Sequence, residues 1–121
     1  MKPITMVKTI HSEAEFIDIC KNETASLFYF SHEDCSVCKV LKPKVNDLLT
    51  DTFPEIKMFY VDIRKSPEIS GQNSIFAVPT ILVFIDGQEI FRKSRNIGLG
   101  ELESLINKPY SIFFGSQRPH V

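Results

Sequence analysis

Apolar runs too short to be helices alternate along this chain with segments of helical spacing, and that alternation restricts it to a layered β/α architecture. Residues 25–30 read Ala-Ser-Leu-Phe-Tyr-Phe, short and aromatic-rich, as suits a strand buried on both faces. Residues 58–63 and 80–85 are further apolar runs of strand length. Between the first two, Val37, Leu41, Val45, Leu48 and Leu49 fall on one side of a helix that Pro43 bends and that residues 51–55, including Pro54, close. Ser12 with Glu15 three positions on is a capping box that opens an earlier helix, whose buried face is Phe16, Ile17 and Cys20. Residues 4–7 ahead of it form a short edge strand.

Ser66-Pro67-Glu68 reads as an N-cap with proline at the first helical position, starting a short helix that ends near Gly71. Asp86-Gly87 is a two-residue hairpin turn, and residues 88–93 return from it antiparallel. Residues 98–107, with Leu99, Leu102, Leu105 and Ile106, make a last amphipathic helix. Strands joined through helices imply parallel pairing, and the hairpin adds an antiparallel edge. The expectation is an α/β fold with a central mixed sheet of about five strands flanked by about four helices.

A length of 121 residues, 43% of them hydrophobic, suits one domain with a real core. Residues 1–108 form that domain. Residues 109–121 form an extension whose Tyr110, Ile112, Phe113 and Phe114 are more apolar than a free tail exposes, so it packs on the domain or on a partner subunit. The chain is expected to be a monomer or weak homodimer. Fourteen Lys and Arg against fifteen Asp and Glu leave a net charge of −1, with no field to draw it to nucleic acid or an anionic membrane. Lys8, His11 and Glu13 interrupt the first residues, so the apolar core of roughly 7–15 residues that a secretory signal needs is missing. No run reaches the ~20 apolar residues of a membrane span, and a cytoplasmic protein is expected.

Three cysteines fit one reactive pair and a spare thiol better than a framework of structural disulfides. Cys35-Ser36-Val37-Cys38 lies where the strand ending at Phe30 gives way to a helix. Unpaired N–H groups and the positive end of the helix dipole there stabilise a thiolate at Cys35, lowering its pKa from about 8.5 toward neutrality. Two intervening residues bring Cys38 within bonding reach, so Cys35 can attack a disulfide and Cys38 can displace the product. The same spacing supplies half of many zinc sites. Here the third cysteine, Cys20, is on another helix, His32 precedes the pair, and His11 and His120 lie near the chain ends. Neither metal nor cofactor is expected.

Around this motif the sequence resembles the thioredoxin family, over about residues 16–106. Lys39 directly follows the second cysteine and Pro43 lies five residues after it, Val78-Pro79-Thr80 is similar to that family's cis-proline loop, and the Asp86-Gly87 hairpin precedes a glycine-started helix. The resemblance implies a thioredoxin-like fold and a thiol-disulfide oxidoreductase that reduces protein disulfides, recycled by a thioredoxin reductase or another electron donor. It implies that Pro79 packs beside the Cys35 sulfur, that Val78 offers its backbone to a substrate peptide, and that Asp34 and Phe76 border the groove. Glu33, Ser36, Val37 and Lys39 would then tune the thiols.

Several positions depart from the family pattern. Asp34 stands in place of a tryptophan, and with Glu33 it opposes the Cys35 thiolate unless a protonated His32 offsets it. Tyr29 stands for the buried aspartate that accepts the second cysteine's proton, and Met58 for that aspartate's lysine partner, leaving water or Glu33 to take the Cys38 proton. Ser36-Val37 replaces Gly-Pro, and Arg95 or Asn96 replaces a groove glycine, which points toward smaller or acidic targets. The alternative is a binding or redox-sensing module on the same fold. Cys20 reads as a core thiol, the phenylalanines as core except Phe76, and Arg92-Lys93-Ser94-Arg95 as a solvated edge face.

Overall fold

The computed structural model describes residues 7–115. Five strands and four helices follow in the order β1 (Lys8–Thr9), α1 (Glu13–Asn22), β2 (Ala25–Ser31), α2 (Ser36–Thr52), β3 (Lys57–Asp62), α3 (Pro67–Gln72), β4 (Thr80–Ile85), β5 (Gln88–Ser94) and α4 (Leu99–Phe114). They build one mixed sheet of order β1-β3-β2-β4-β5. The edge strand expected at residues 4–7 falls largely outside the described residues, and the strand seen next to β3 is Lys8–Thr9.

Alternation along β2 divides the core between the two faces of the sheet. Leu27 and Tyr29 join Leu41, Val45 and Leu49 of α2 with Leu102 and Ile106 of α4. Phe28 and Phe30 point the other way, to Phe16 of α1, Phe59 and Ile69. Ring pairs tighten this second cluster, with Phe16 and Phe28 centroids 4.3 Å apart and Phe28 stacked on Phe59 at 5.5 Å.

Three local expectations are corrected. In α1 it is Ile19, not Ile17, that lies inward with Phe16, because a three-residue step keeps to one helix face whereas Ile17 turns 43% exposed to solvent. In α2, Val37 is 63% exposed, since it lies in the first turn beyond the end of the sheet. Helical connection also fails to imply parallel pairing for β4, which runs antiparallel to β2. The six-residue α3 and its loop leave β3 at Asp62 and re-enter the sheet at Thr80, opposite Phe30, so the chain returns at the end it left and must run back.

That return decides where the site is. The carboxyl ends of β2 and β3, the start of β4 and the end of β5 all meet at one end of the sheet, where Thr80 pairs with both Phe30 and Ser94. At the far end, Asp86 (φ 55°) and Gly87 (φ 76°) make the hairpin turn in the left-handed region that such tight turns require. The last helix is longer than expected. Pro109 lies inside α4, Tyr110 is 2% exposed, and its ring packs on Phe53 and Phe114, so residues 109–114 continue the domain's own helix past position 108. Among the described residues, no helix is long and apolar enough to cross a membrane.

Candidate active site

Cys35 is the N-cap of α2, in extended backbone (φ −92°, ψ 98°), and its Sγ accepts the Cys38 N–H at 3.2 Å. A helix begins there because β2 ends at Ser31 and a tight turn follows, in which the Cys35 N–H donates to the His32 carbonyl at 3.3 Å. His32 Nδ1 accepts the Asp34 N–H at 3.2 Å, which tightens the turn ahead of Cys35. The two sulfurs form a disulfide across Cα atoms 5.2 Å apart. Their surroundings differ: Cys35 is half-buried, while Cys38 is 1% exposed.

Behind Cys38 stands Tyr29, fully buried, whose hydroxyl donates to the Cys38 carbonyl at 2.7 Å. Burial, and then the neighbouring Tyr60, raise the Tyr29 phenol pKa, so it remains a donor across the physiological range. The residue opposite Tyr29 in the parallel β2–β3 register is Tyr60, with rings stacked at 6.5 Å. Met58, two residues earlier, pairs with Leu27. The Tyr60 hydroxyl lies 3.0 Å from Ser31 Oγ, and Lys42 Nζ sits 4.1 Å over its ring, where burial depresses the lysine pKa. One phenol, Tyr29, thus reaches the Cys38 backbone, with the second, Tyr60, stacked beside it.

In front of Cys35, the acidic pair is not bare. Asp34 bonds Arg64, and Glu33 lies 2.9 Å from Lys65. The Arg64 guanidinium holds the Asp34 carboxyl below the usual carboxylate range. The expected opposition to a Cys35 thiolate is thus offset by two cations that the sequence reading passed over. Their signal was present, because Arg64 and Lys65 follow β3 directly and parallel neighbours bring the carboxyl ends of β2 and β3 together.

The Val78–Pro79 peptide bond is cis, and Pro79 is buried immediately before β4. Its carbonyl accepts the Arg95 N–H at 2.8 Å, which ties the end of β5 to the loop, and Arg95 adopts φ 68° there. Val78 is half-buried and, like Cys35, packs against the core cluster that includes Cys38. Phe76 is 87% exposed, Lys39 is exposed, and Ser36 and Val37 line an open groove beside the disulfide. Cys20 is remote from the pair, half-buried against the cluster on the opposite sheet face, and burial pushes its thiol up to about 11.

A family model for thioredoxin matches residues 7–108, which contain this entire arrangement. The chain belongs to the thioredoxin family. A thioredoxin-like protein, YdfQ, of Bacillus subtilis is 33% identical over 115 residues, spanning 95% of this chain and 99% of that protein. A thioredoxin of Chlamydia trachomatis is 34% identical over 101 residues, or 84% and 93% of the two chains. Among solved structures, oxidised mitochondrial thioredoxin 3 of Saccharomyces cerevisiae superposes with a TM-score of 0.76 at 24% identity, covering 84% of this chain and 93% of that one, and shows the shared fold. With the thioredoxin family's fold and a CxxC disulfide at the mouth of α2, the protein is a thiol-disulfide oxidoreductase. Its redox centre is the Cys35–Cys38 pair.

Proposed function

We propose that this protein is a reductase of polypeptide disulfides in which Cys35 attacks and Cys38 resolves. The observation that carries the assignment of roles is the difference in access, with Cys35 at the helix mouth and Cys38 buried beneath it. In the reduced protein the Cys35 thiolate attacks one sulfur of a target disulfide. The target S–S bond breaks, a mixed disulfide forms, and the departing target thiolate takes a proton from water. Cys38 then gives up its proton and attacks Cys35 Sγ, closing the Cys35–Cys38 bond and releasing the second target thiolate. Two electrons have passed to the target. A dithiol donor, of which a thioredoxin reductase is the family's type, returns them.

Backbone geometry supports the rest of the reading. The Cys38 N–H aimed at Cys35 Sγ and the α2 dipole favour the thiolate, with Ser36, Val37, Lys39 and the paired Glu33 setting its potential. Val78, Pro79, Asp34 and Phe76 form the rim on which a target segment would lie, and the free edge of the loop at Val78 suits a short β-type contact. Tyr29, held protonated, cannot accept the Cys38 proton, so water receives it and resolution is slower than with a buried carboxylate. The chain is assigned to the cytoplasm, where dithiols are kept reduced. Insulin reduction driven by dithiothreitol tests the reading. The wild type should accelerate it and Cys35→Ser should not; equal rates would favour a binding or sensing module instead.

A further inference from the structure

A groove of about 610 Å³ opens directly beside the active-site disulfide, between the exposed face of α2 and the loop from β5 to α4. Val37 and Val40, 63% and 59% exposed, form one wall with Leu41 at its base, and Ile97 faces them from the loop. Two valines on one turn-spaced helix face are costly to leave in water and mark a contact surface. The groove's charged residues are Lys44 and Arg95, both cations. Neither is held by an ion pair among the described residues, whereas neighbouring Arg92 and Lys93 are tied to Glu89 and Glu101. The backbone of Arg95 is fixed by its bond to the Pro79 carbonyl, and the residue lines the groove. On the other flank of Cys35 the charges are already matched, Asp34 with Arg64 and Glu33 with Lys65.

We infer that this groove selects target polypeptides in which an apolar side chain near the disulfide cysteine is accompanied by carboxylates, the apolar group resting on Val37 and Val40 and the carboxylates reaching Arg95 and Lys44. The inference rests on the reductase reading and adds the class of substrate. Complementary charge on exposed groups acts mainly on encounter rate and is screened by salt.

The test uses three synthetic peptides, each closed by one disulfide and carrying the same leucine, with flanking residues that are glutamate, glutamine or lysine. Catalysed rates are measured with dithiothreitol as reductant, and each is divided by the rate with dithiothreitol alone. The expected kcat/KM order is glutamate over glutamine over lysine, with a ratio of about 5 or more between the ends at low ionic strength that falls toward 1 at ~0.5 M salt. Lys44→Glu and Arg95→Glu should each lower that ratio, and together reverse it. Lys44→Glu lies on an exposed helix position and keeps the test available if Arg95→Glu, at φ 68°, does not fold. Equal rates for the three peptides, or a ratio unmoved by Lys44→Glu, would overturn the substrate class and leave the reductase intact. Failure to reduce any of the three would overturn both.

Discussion

Cys35 and Cys38 lie three residues apart and are bonded to each other, yet they occupy different media. Cys35 caps a helix at the surface, where its sulfur receives an N–H and stands beside ion-paired, fully hydrated side chains. Cys38 is 1% exposed, within the core cluster that holds Tyr29, whose hydroxyl bonds its carbonyl. The helix start makes the difference, because one turn of α2 carries the second sulfur from the mouth of the sheet into the core. A charged thiolate is favoured at the first position and opposed by desolvation at the second, so one fold provides an attacking thiol and a protected one.

The largest expected effect is in thiol reactivity. In the reduced protein at pH 7, iodoacetamide should label Cys35 roughly 100-fold faster than Cys38, read by peptide mass mapping. Cys20 supplies an internal reference. Its thiol, pushed up to about 11 by burial, should label slowly at pH 8, with a rate that climbs through pH 10 and levels only above 11. Comparable rates for Cys35 and Cys38 would erase the contrast between them.

A smaller effect is expected behind Cys38. Tyr29→Phe removes the hydroxyl that donates to the Cys38 carbonyl and should lower unfolding free energy by about 1 kcal/mol in a urea titration. Smallest is the effect in front of Cys35. Asp34→Asn removes one negative charge and leaves Arg64 unpaired, so the Cys35 thiol of the reduced protein should titrate at a lower pH than in the wild type, followed by thiolate absorbance near 240 nm. Arg64→Gln should move it the opposite way. If neither shifts the titration, the surface pairs do not act on the thiol.

How much of this was legible in the sequence depended on how local each feature is. The strand–Cys35–Cys38–helix boundary, Pro67 opening α3 and the Asp86-Gly87 hairpin are set by residues adjacent in the chain, and they stand where the residues placed them. The direction of β4 was not legible, because it depends on the end of the sheet at which the connection from α3 returns. The inward turn of Ile19 in place of Ile17 came from a helix phase that one residue can shift. Within the site, the loss of a buried carboxylate was readable at Tyr29, but the ring of Tyr60 facing it was not, because register across parallel strands is a non-local quantity. The same gap hid Arg64 and Lys65 as partners of Asp34 and Glu33.

Trapping of the mixed disulfide tests the division of labour most directly. Cys38→Ser, reduced and mixed with a disulfide-closed peptide, should accumulate a stable protein–peptide disulfide mapped to Cys35, while Cys35→Ser should form none at Cys38 on the same timescale. An adduct at Cys38 in Cys35→Ser, formed as fast as the one at Cys35, would contradict the assignment of the exposed sulfur as the attacking one.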